Sequence, residues 1–335
     1  PSVLCADHHP GYSMPIGGVL ALKEKVMPAG VGYDIACGNC AARTSVKADD
    51  LDTAQVMDEI RIVLSFGVGR KNNEPVDHPV LDSIAHAHVK EQASMVQLAR
   101  DQIGTIGSGN HYVDLFRDES GYLWVGVHFG SRGFGYKTCT GFLALAAGKA
   151  WGDRVGDSNM DSVPLVLELD TPSGQDYLTA MDLAGEYAYA GREWVVDRVL
   201  KILGTHSVER VHNHHNFAWW ETHGGERYLV IRKGSTPAFP GQRGFIGGSM
   251  GEDAVIVTEV DSEWSREALY STVHGAGRVM SRTEAAGKVK WRRGPDGRKR
   301  LERVRGGRVD WPSVQERVKS QGIELRGGGA DEAPE

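Results

Sequence analysis

Two patterns of apolar residues divide the chain into predicted strands and predicted helices. Runs rich in β-branched and aromatic residues predict buried strands at residues 122–127, 163–169, 228–231 and 254–260. Apolar residues at helical spacing predict helices at residues 52–64, 83–99, 141–150 and 175–203. Because strands and helices follow one another without regular alternation, we predict an α+β fold with mixed sheets and flanking helices rather than a doubly wound sheet.

Glycine clusters lie between these elements, beside histidine, asparagine, serine or arginine. They occupy residues 104–109, 130–135 and 244–251, together with Gly275 and Gly277. Polar loops carried on buried strands are the usual arrangement of an active site on a rigid sheet. We therefore expect the functional residues in these glycine-rich loops.

Neither an internal repeat nor a linker interrupts the 335 residues, so we predict one large domain over residues 1–335. The chain starts at Pro1, which is not an initiator residue, and ends after a loop-like Arg-Gly-Gly-Gly run, so we expect the natural protein to extend further at both ends. No apolar run approaches the roughly 18 residues of a membrane span. An export signal is also missing, and four cysteines are too few for a disulfide scaffold. We expect a soluble cytoplasmic protein without a membrane partner.

Charge is unevenly distributed along the chain. The formal net charge is −6, yet residues 288–308 carry ten Lys and Arg against two acidic residues, which gives 10 − 2 = +8 locally and −6 − 8 = −14 elsewhere. A basic segment on an acidic body suits an anionic polymer that is held at one place. A solvated hairpin with its turn at residues 294–297 explains the same segment, and the two interpretations are compatible.

Thiol, carboxylate and imidazole groups occur where the glycine loops meet the predicted strands. One thiolate, one carboxylate and three imidazoles could hold two divalent ions, with the carboxylate or the thiolate as the bridge. The candidate ligands are Asp34, Cys37, His111, His128 and His215. Thiolate and imidazole together favour Mn²⁺, Zn²⁺, Fe²⁺ or Co²⁺ over Mg²⁺ or Ca²⁺. The alternative for each histidine is a core side chain, and Cys37 with Cys40 also forms a C-x-x-C pair that lacks the partner pair of a zinc ribbon.

His274 precedes small residues and two arginines, Arg278 and Arg282. Glycines let a triphosphate approach the backbone, arginines neutralise its charge, and an imidazole can attack phosphorus. The alternative is a helix N-terminus that His274 caps, with Arg282 paired to an acid. Residues 232–235 and 247–251 are further basic or glycine-rich loops of the kind that cradle phosphate. The sequence contains neither a Walker A motif nor a G-x-S-x-G elbow, which argues against a P-loop kinase and a serine hydrolase.

Eight segments, in order, resemble the motifs of the RtcB family of RNA-splicing and RNA-repair ligases. They are DHHPGY at 7–12, VGYDIACG at 31–38, GSGNH at 107–111, HFGSRG at 128–133, HHN at 214–216, RKG at 232–234, GSMG at 248–251 and HGAGR at 274–278. Eight ordered motifs are far more specific than any one of them alone.

The resemblance implies an RtcB-like domain with a two-metal site, normally holding two Mn²⁺ ions. The matching ligands are Asp34, Cys37, His111, His128 and His215. It also implies that His274 attacks GTP and carries GMP as a phosphoramidate. Positions that contact the guanylate match Asn110, Ser249, Ala276 and Gly277, and the predicted nucleotide-binding set is completed by Asp114, Lys233 and Arg278.

The implied substrates are GTP and RNA, since family members join an RNA 3′-phosphate, often derived from a 2′,3′-cyclic phosphate, to a 5′-hydroxyl end. DNA is not expected as a partner, and the need for an activating protein is left open. Asp7 and His9 lie in a motif near the metals, where they could orient ligands or handle RNA ends.

Several departures from the family pattern bear on nucleotide specificity. Asp114 stands where the family usually has a glutamate that reads the guanine edge, Gly191 replaces an expected asparagine, and Gly247 replaces a frequent proline. The family's C-terminal segment, which ends in a lysine that contacts the nucleotide, is absent from this chain. Two alternatives therefore stay open. One is a dinuclear metallohydrolase acting on RNA phosphate ends, in which His274 only binds phosphate, and the other is a divergent RNA-binding paralogue.

Overall fold

The computed structural model describes residues 1–155, 164–293 and 298–333. The strands, in chain order, are β1 Ser2–His9, β2 Ile16–Leu22, β3 Lys25–Val26, β4 Gly38–Lys47, β5 Tyr112–Arg117, β6 Tyr122–Phe129, β7 Leu167–Glu168, β8 Ser207–His214, β9 Asn216–His223, β10 Glu226–Lys233, β11 Ser235–Pro237, β12 Arg243–Ile246, β13 Val255–Thr258, β14 Ser271–Val273, β15 Lys288–Arg293 and β16 Lys299–Arg305. The helices are α1 Pro28–Val31, α2 Thr53–Val63, α3 Pro79–Ala85, α4 Lys90–Ala93, α5 Val96–Gln102, α6 Arg132–Ala146, α7 Pro172–Ile202, α8 Glu263–Glu267, α9 Arg282–Ala286 and α10 Trp311–Ser320, with a short 3-10 helix at Ala48–Asp50. The predicted α+β class is confirmed.

Two four-stranded antiparallel sheets form the framework. One has the order β1–β2–β10–β9 and the other the order β5–β6–β4–β8, and two-stranded pairs join β3 to β7, β11 to β14, β12 to β13 and β15 to β16. Within the described residues, parallel contacts are limited to the isolated bridges Phe66–Gly107 and Gly247–Gly275. The expected mixture of strand directions is therefore confined to those two bridges.

Helix α7 packs against both hydrophobic clusters and backs the second sheet. Its predicted range of 175–203 is confirmed, and the start moves three residues upstream because Thr171 accepts a hydrogen bond from the Gly174 backbone and Pro172 occupies the first turn. Tyr177 and Tyr187 pack with α1, α3, α5 and α6 in the larger cluster. Val195, Val196 and Val199 pack with α2 and with strands β4 and β6 in the other cluster.

Several other predicted elements are confirmed with altered ends. The helix at 52–64 is α2, and the strands at 122–127, 228–231 and 254–260 are β6, β10 and β13. The strand predicted at 163–169 is reduced to β7, and Val163 lies outside the described residues. The turn predicted at 294–297 also lies outside them, whereas its flanking strands do pair as β15 and β16.

Two helix predictions are wrong in part. The helix predicted at 83–99 is divided into α3, α4 and α5, with breaks at residues 86–89 and 94–95. Within α4, Gln92 turns inward, and its Nε2 donates to Ala180 O at 2.8 Å and to Thr138 Oγ1 at 3.3 Å, which ties this short helix to α7 and α6. The helix predicted at 141–150 begins earlier, at Arg132, so the glycines of cluster 130–135 lie partly in α6. Gly135 is needed there because a Cβ would lie 1.7 Å from Ser131 Oγ. In the described part of the chain, none of the helices combines the length and apolar character needed to cross a bilayer.

Candidate active site and metal centre

Four strand ends of the second sheet meet at one edge. Strands β4 and β5 begin there, and β6 and β8 end there, because Gly38 lies opposite both Phe129 and His214 and Tyr112 lies opposite His128. The predicted ligands flank these ends in sequence, so the antiparallel register brings segments far apart in the chain to the same place.

The first sheet ends at the same place. A single residue, His215, separates the end of β8 from the start of β9, so it lies where the two sheets join. Its backbone N–H donates to Cys37 O at 2.8 Å, and its carbonyl accepts from Ser235 N at 3.1 Å. His274 directly follows strand β14, which pairs with β11.

The five predicted ligands form two groups that share one residue. Cys37, His128 and His215 make one group, and Asp34, Cys37 and His111 make the other, with the candidate donor atoms of each group within 4.8 Å of one another. Cys37 Sγ lies 3.5 Å from His128 Nε2 and 3.7 Å from His111 Nε2. The Cys37 thiol is therefore the donor common to both groups.

Neighbouring residues fix the orientation of the imidazole rings. Asn39 Nδ2 donates to Phe245 O, so its Oδ1 is the acceptor for His128 Nδ1 at 2.6 Å. That contact puts the proton on Nδ1 and leaves the His128 Nε2 lone pair facing Cys37. His111 Nδ1 is held between Ile106 O at 3.1 Å and Arg132 Nη1 at 2.9 Å, which turns its Nε2 towards Asp34.

The electrostatics of the cluster favour the neutral forms of His128 and His215 and the ionised form of Asp34. Burial, together with the charges of nearby histidines, holds the pKa values of His128 and His215 well below the ordinary range. Burial alone would raise the pKa of Asp34, but its close contact with His111 and the charge of Arg132 lower it. Burial and the charge of Asp34 raise the pKa of Cys37 well above its usual value. Because a nearby cation favours thiolate, Cys37 in this cluster is suited to bind a metal by releasing its proton.

Asp34 Oδ2 provides a direct test of whether the cluster fits a cation. This oxygen is buried and accepts no well-oriented hydrogen bond from the described residues, although His111 Nε2 lies 3.1 Å away. Gly130 leaves the room for this carboxylate, since a Cβ there would lie 2.4 Å from Asp34 Oδ1. An unsatisfied anionic oxygen facing thiol and imidazole donors fits a divalent ion of borderline softness.

His274 adjoins the donor cluster and is oriented by Asp7. The His274 and His215 ring centroids lie 4.8 Å apart. Asp7 Oδ2 accepts from His274 Nδ1 at 2.6 Å and from the His274 backbone N–H at 3.1 Å. Burial alone would raise the pKa of Asp7, but the hydrogen bonds and charge of His274 lower it. An ionised Asp7 keeps the proton on Nδ1, so Nε2 is the nitrogen available for attack.

The predicted nucleotide-binding residues occupy three different environments. Asn110 lies in the cluster, with its Nδ2 3.2 Å from His128 Nε2 and its Oδ1 accepting from Arg282 Nη2 at 3.2 Å. Gly277 adjoins Asp7, since a Cβ at Gly277 would lie 2.8 Å from Asp7 O, and Ala276 beside it is exposed. Ser249 lies in the loop after β12, where its backbone N–H donates to Glu252 Oε2 at 3.3 Å.

The basic residues of the phosphate-binding predictions are engaged with the protein. Lys233 Nζ donates to Tyr12 O at 2.5 Å and to Ala29 O at 2.9 Å, and burial lowers its pKa to about 8. Arg232 is fully buried and forms a bidentate ion pair with Glu221. Arg278 Nη2 donates to Asp331 O at 2.8 Å. The alternative considered for Arg282 holds in part, because it pairs with Asp331 and Glu332 as well as contacting Asn110.

Two residues that sequence reasoning missed hold this edge together. Asn39 fixes His128, as described above. Arg192 is fully buried on α7, and its Nη1 donates to Ala36 O at 2.8 Å and to Phe129 O at 2.6 Å. The same guanidinium contacts His212 Nε2 at 2.9 Å and His214 Nδ1 at 3.0 Å. The neighbouring Gly191 was the one available sign of this close packing. It lets α7 approach β6, since a Cβ at Gly191 would lie 3.3 Å from Phe129 Cε2.

Asp114 lies on β5, and its carboxyl forms no hydrogen bond with any of the described residues. Burial raises its pKa to about 7. The folded protein therefore holds a proton that the unfolded chain releases above pH ~4, so this carboxyl lowers stability as the pH rises towards 7.

We expect Asp114→Asn to raise the free energy of unfolding, by about 2 kcal/mol more at pH 8 than at pH 5. Urea unfolding at the two pH values measures this, with the exposed Asp50→Asn as the matched control. Equal effects of Asp114→Asn at both pH values would mean that Asp114 is already charged in the folded protein at pH 5.

The chain is similar to one family of proteins over most of its length. The family model described as tRNA-splicing ligase RtcB matches residues 1–95 and 81–304, which include every residue of the candidate site. The RNA-splicing ligase RtcB of Escherichia coli (strain K12) is 33% identical over 312 residues, which cover 83% of this chain and 74% of that protein. The tRNA-splicing ligase RtcB of Archaeoglobus fulgidus is 30% identical over 365 residues, covering 86% and 75%. The RNA-splicing ligase RtcB homolog 2 of Entamoeba dispar is 28% identical over 404 residues, covering 97% and 72%.

Proposed function

The chain belongs to the RtcB family, and from that premise we propose that it is a metal-dependent RNA ligase working through a GMP–histidine intermediate. It would join an RNA 3′-phosphate, or a 2′,3′-cyclic phosphate after opening, to a 5′-hydroxyl. One observation carries the proposal. The His274 ring lies 4.8 Å from His215, a member of the shared-thiol donor cluster, while Asp7 engages Nδ1.

The first step is attack by His274 on GTP. Nε2 donates its lone pair to the α-phosphorus, the bond from that phosphorus to the bridging oxygen breaks, and pyrophosphate leaves. Asp7 keeps Nδ1 protonated and stabilises the positive charge that develops on the ring. The product is GMP joined to the imidazole through a P–N bond.

The donor cluster adjoins this reaction centre. Asp34, Cys37 and His111 would hold one ion, and Cys37, His128 and His215 the other. When bound, two divalent ions, Mn²⁺ in our proposal, neutralise phosphate charge and act as Lewis acids. Asn39, Arg132 and Arg192 position the ligands by the contacts described above. Their fixed geometry limits the reorganisation needed when charge develops on phosphorus.

The remaining steps transfer GMP and then release it. An oxygen of the RNA 3′-phosphate attacks the GMP phosphorus, the P–N bond breaks, and His274 is restored. The RNA 5′-hydroxyl then attacks the 3′-phosphate, GMP leaves, and a 3′,5′-phosphodiester remains while the hydroxyl proton goes to a base or to solvent. A cyclic phosphate end must first be opened by water to give the free 3′-phosphate.

The nucleotide would lie between the loop after β12 and the segment after His274. We assign Asn110, Ser249, Ala276 and Gly277 to the guanylate, and Lys233 and Arg278 to its phosphates. Asp114 would accept hydrogen bonds from the base. A half-buried carboxyl whose pKa is about 7 and whose side chain lacks a described partner is suited to a ligand that brings N–H donors.

Labelled GTP tests the proposal. With Mn²⁺ present, [α-³²P]GTP should label the protein in an acid-labile, alkali-stable form, whereas [γ-³²P]GTP should not. The labelled protein should then pass GMP to RNA bearing a 3′-phosphate and join it to a 5′-hydroxyl RNA. Release of inorganic phosphate from RNA ends without protein labelling would instead identify a metallohydrolase. RNA binding with no turnover would identify a divergent RNA-binding paralogue.

A further inference from the structure

A two-stranded ribbon formed by β15 and β16 carries most of the basic segment. The strands pair antiparallel, with Lys288 opposite Arg305 and Arg292 opposite Arg300. Every ribbon side chain whose exposure is described is exposed, including the apolar Val289 and Val304. A seven-residue strand extends about 24 Å, so the ribbon is long enough to follow an extended ligand.

The composition of this ribbon works against its own stability. Like charges directly opposite each other on neighbouring strands are destabilising, and an isolated two-stranded ribbon is marginally stable in water. Lys290 lies opposite Glu302, and Arg292 Nε is 3.3 Å from Glu302 Oε2. The two strands together nevertheless contain eight Lys and Arg residues and only one acidic residue. An external polyanion would offset this repulsion.

The root of the ribbon is attached to the helix that borders the candidate site. The Arg308 backbone N–H donates to Glu284 O at 2.9 Å, and the Arg308 guanidinium pairs with the Glu284 carboxylate at 2.9 Å. Glu284 belongs to α9, whose first residue, Arg282, donates to Asn110 Oδ1. Five helical residues rise about 8 Å, so one short helix connects the base of the ribbon to the residue that contacts Asn110.

We propose that the β15–β16 ribbon binds the sugar–phosphate backbone of the RNA whose ends are joined at the site. This inference rests on the proposed function for the identity of the polyanion. The formal charge of the chain outside residues 288–308 is −14, so the rest of the molecule repels RNA overall. A cationic arm rooted beside the nucleotide-binding residues supplies local attraction where the RNA ends must be held.

The test neutralises four exposed ribbon residues together, as Lys288→Gln, Lys290→Gln, Arg303→Gln and Arg305→Gln. The matched control neutralises four exposed cations on other elements, as Lys90→Gln, Lys149→Gln, Lys201→Gln and Arg227→Gln. Both variants lose four positive charges. Binding of a single-stranded RNA with a 3′-phosphate is measured between 50 and 200 mM salt, with GMP labelling as the separate readout.

The ribbon variant should show a slope of log affinity against log salt that is shallower by about 2 to 3, because each lost phosphate contact removes about 0.7. The control should keep the wild-type slope, and both variants should take up GMP normally. Equal slopes in the two variants would overturn the ribbon proposal, and so would weakened binding of polyglutamate with unchanged RNA binding. Absence of GMP labelling in the wild type contradicts the proposed function instead.

A deletion checks the same inference without relying on four substitutions. Gly287 and Gly306 lie side by side at the root, since a Cβ on Gly287 would be 2.8 Å from Gly306 C. Removing residues 288–305 and joining these glycines should make the slope of log affinity against log salt shallower, as in the ribbon variant, and leave GMP labelling intact. A deletion protein that labels normally and binds RNA with the wild-type slope would also overturn the proposal.

Discussion

Replacing His274 by alanine is expected to lower protein labelling by [α-³²P]GTP by at least about 10³-fold, because the substitution removes the nucleophile. His274 is the imidazole that Asp7 orients through a 2.6 Å contact beside the donor cluster. Rates of GMP incorporation at saturating GTP and Mn²⁺ provide the measurement. Ligation that starts from RNA with a free 3′-phosphate should fall in parallel.

An RNA that already carries GMP on its 3′-phosphate distinguishes loss of the nucleophile from loss of the fold. The alanine variant should still join this activated RNA to a 5′-hydroxyl, since His274 has no covalent role in that step. Asp7→Asn should slow labelling by about 10²-fold or more, because an amide can reverse the tautomer of the ring. Undiminished labelling of His274→Ala would assign the nucleophile to another residue.

The sequence carried enough information to select the candidate donors but not their grouping. Asp34, Cys37, His111, His128 and His215 were chosen as residue types beside glycine loops and by resemblance. The structure brings all five together, and their role as ligands stays a proposal. Which donor is shared between the two groups depends on the register of β4 against β6 and β8, and that pairing is a long-range property that local pattern does not encode.

The residues that position the donors were harder to identify than the donors. Arg192 falls within a helical pattern in which an arginine is normally solvent-exposed, yet it is fully buried and hydrogen bonded to the ends of distant segments. Local pattern also failed at residues 83–99, where one predicted helix is three short ones and Gln92 donates to Ala180 O in the interior. In both cases a buried polar side chain finds its hydrogen-bond partner in a distant segment, which local pattern cannot reveal.

Cys37→Ala is expected to have the second large effect, since Cys37 belongs to both donor groups. Loss of the thiol should lower the affinity for both ions by more than about 100-fold, which is the upper range for changes in outer-shell partners alone. GMP labelling should be abolished. His111→Ala should weaken mainly the ion that His111 shares with Asp34. Metal content after dialysis and Mn²⁺ titration monitored by electron paramagnetic resonance provide the measurements.

The matched control is Cys40→Ala, which should retain both ions. The buried thiol of Cys40 packs in the hydrophobic cluster with Val127. If Cys37→Ala lost only one ion, the thiolate would not be the bridge, and the two groups would have to be redrawn around Asp34.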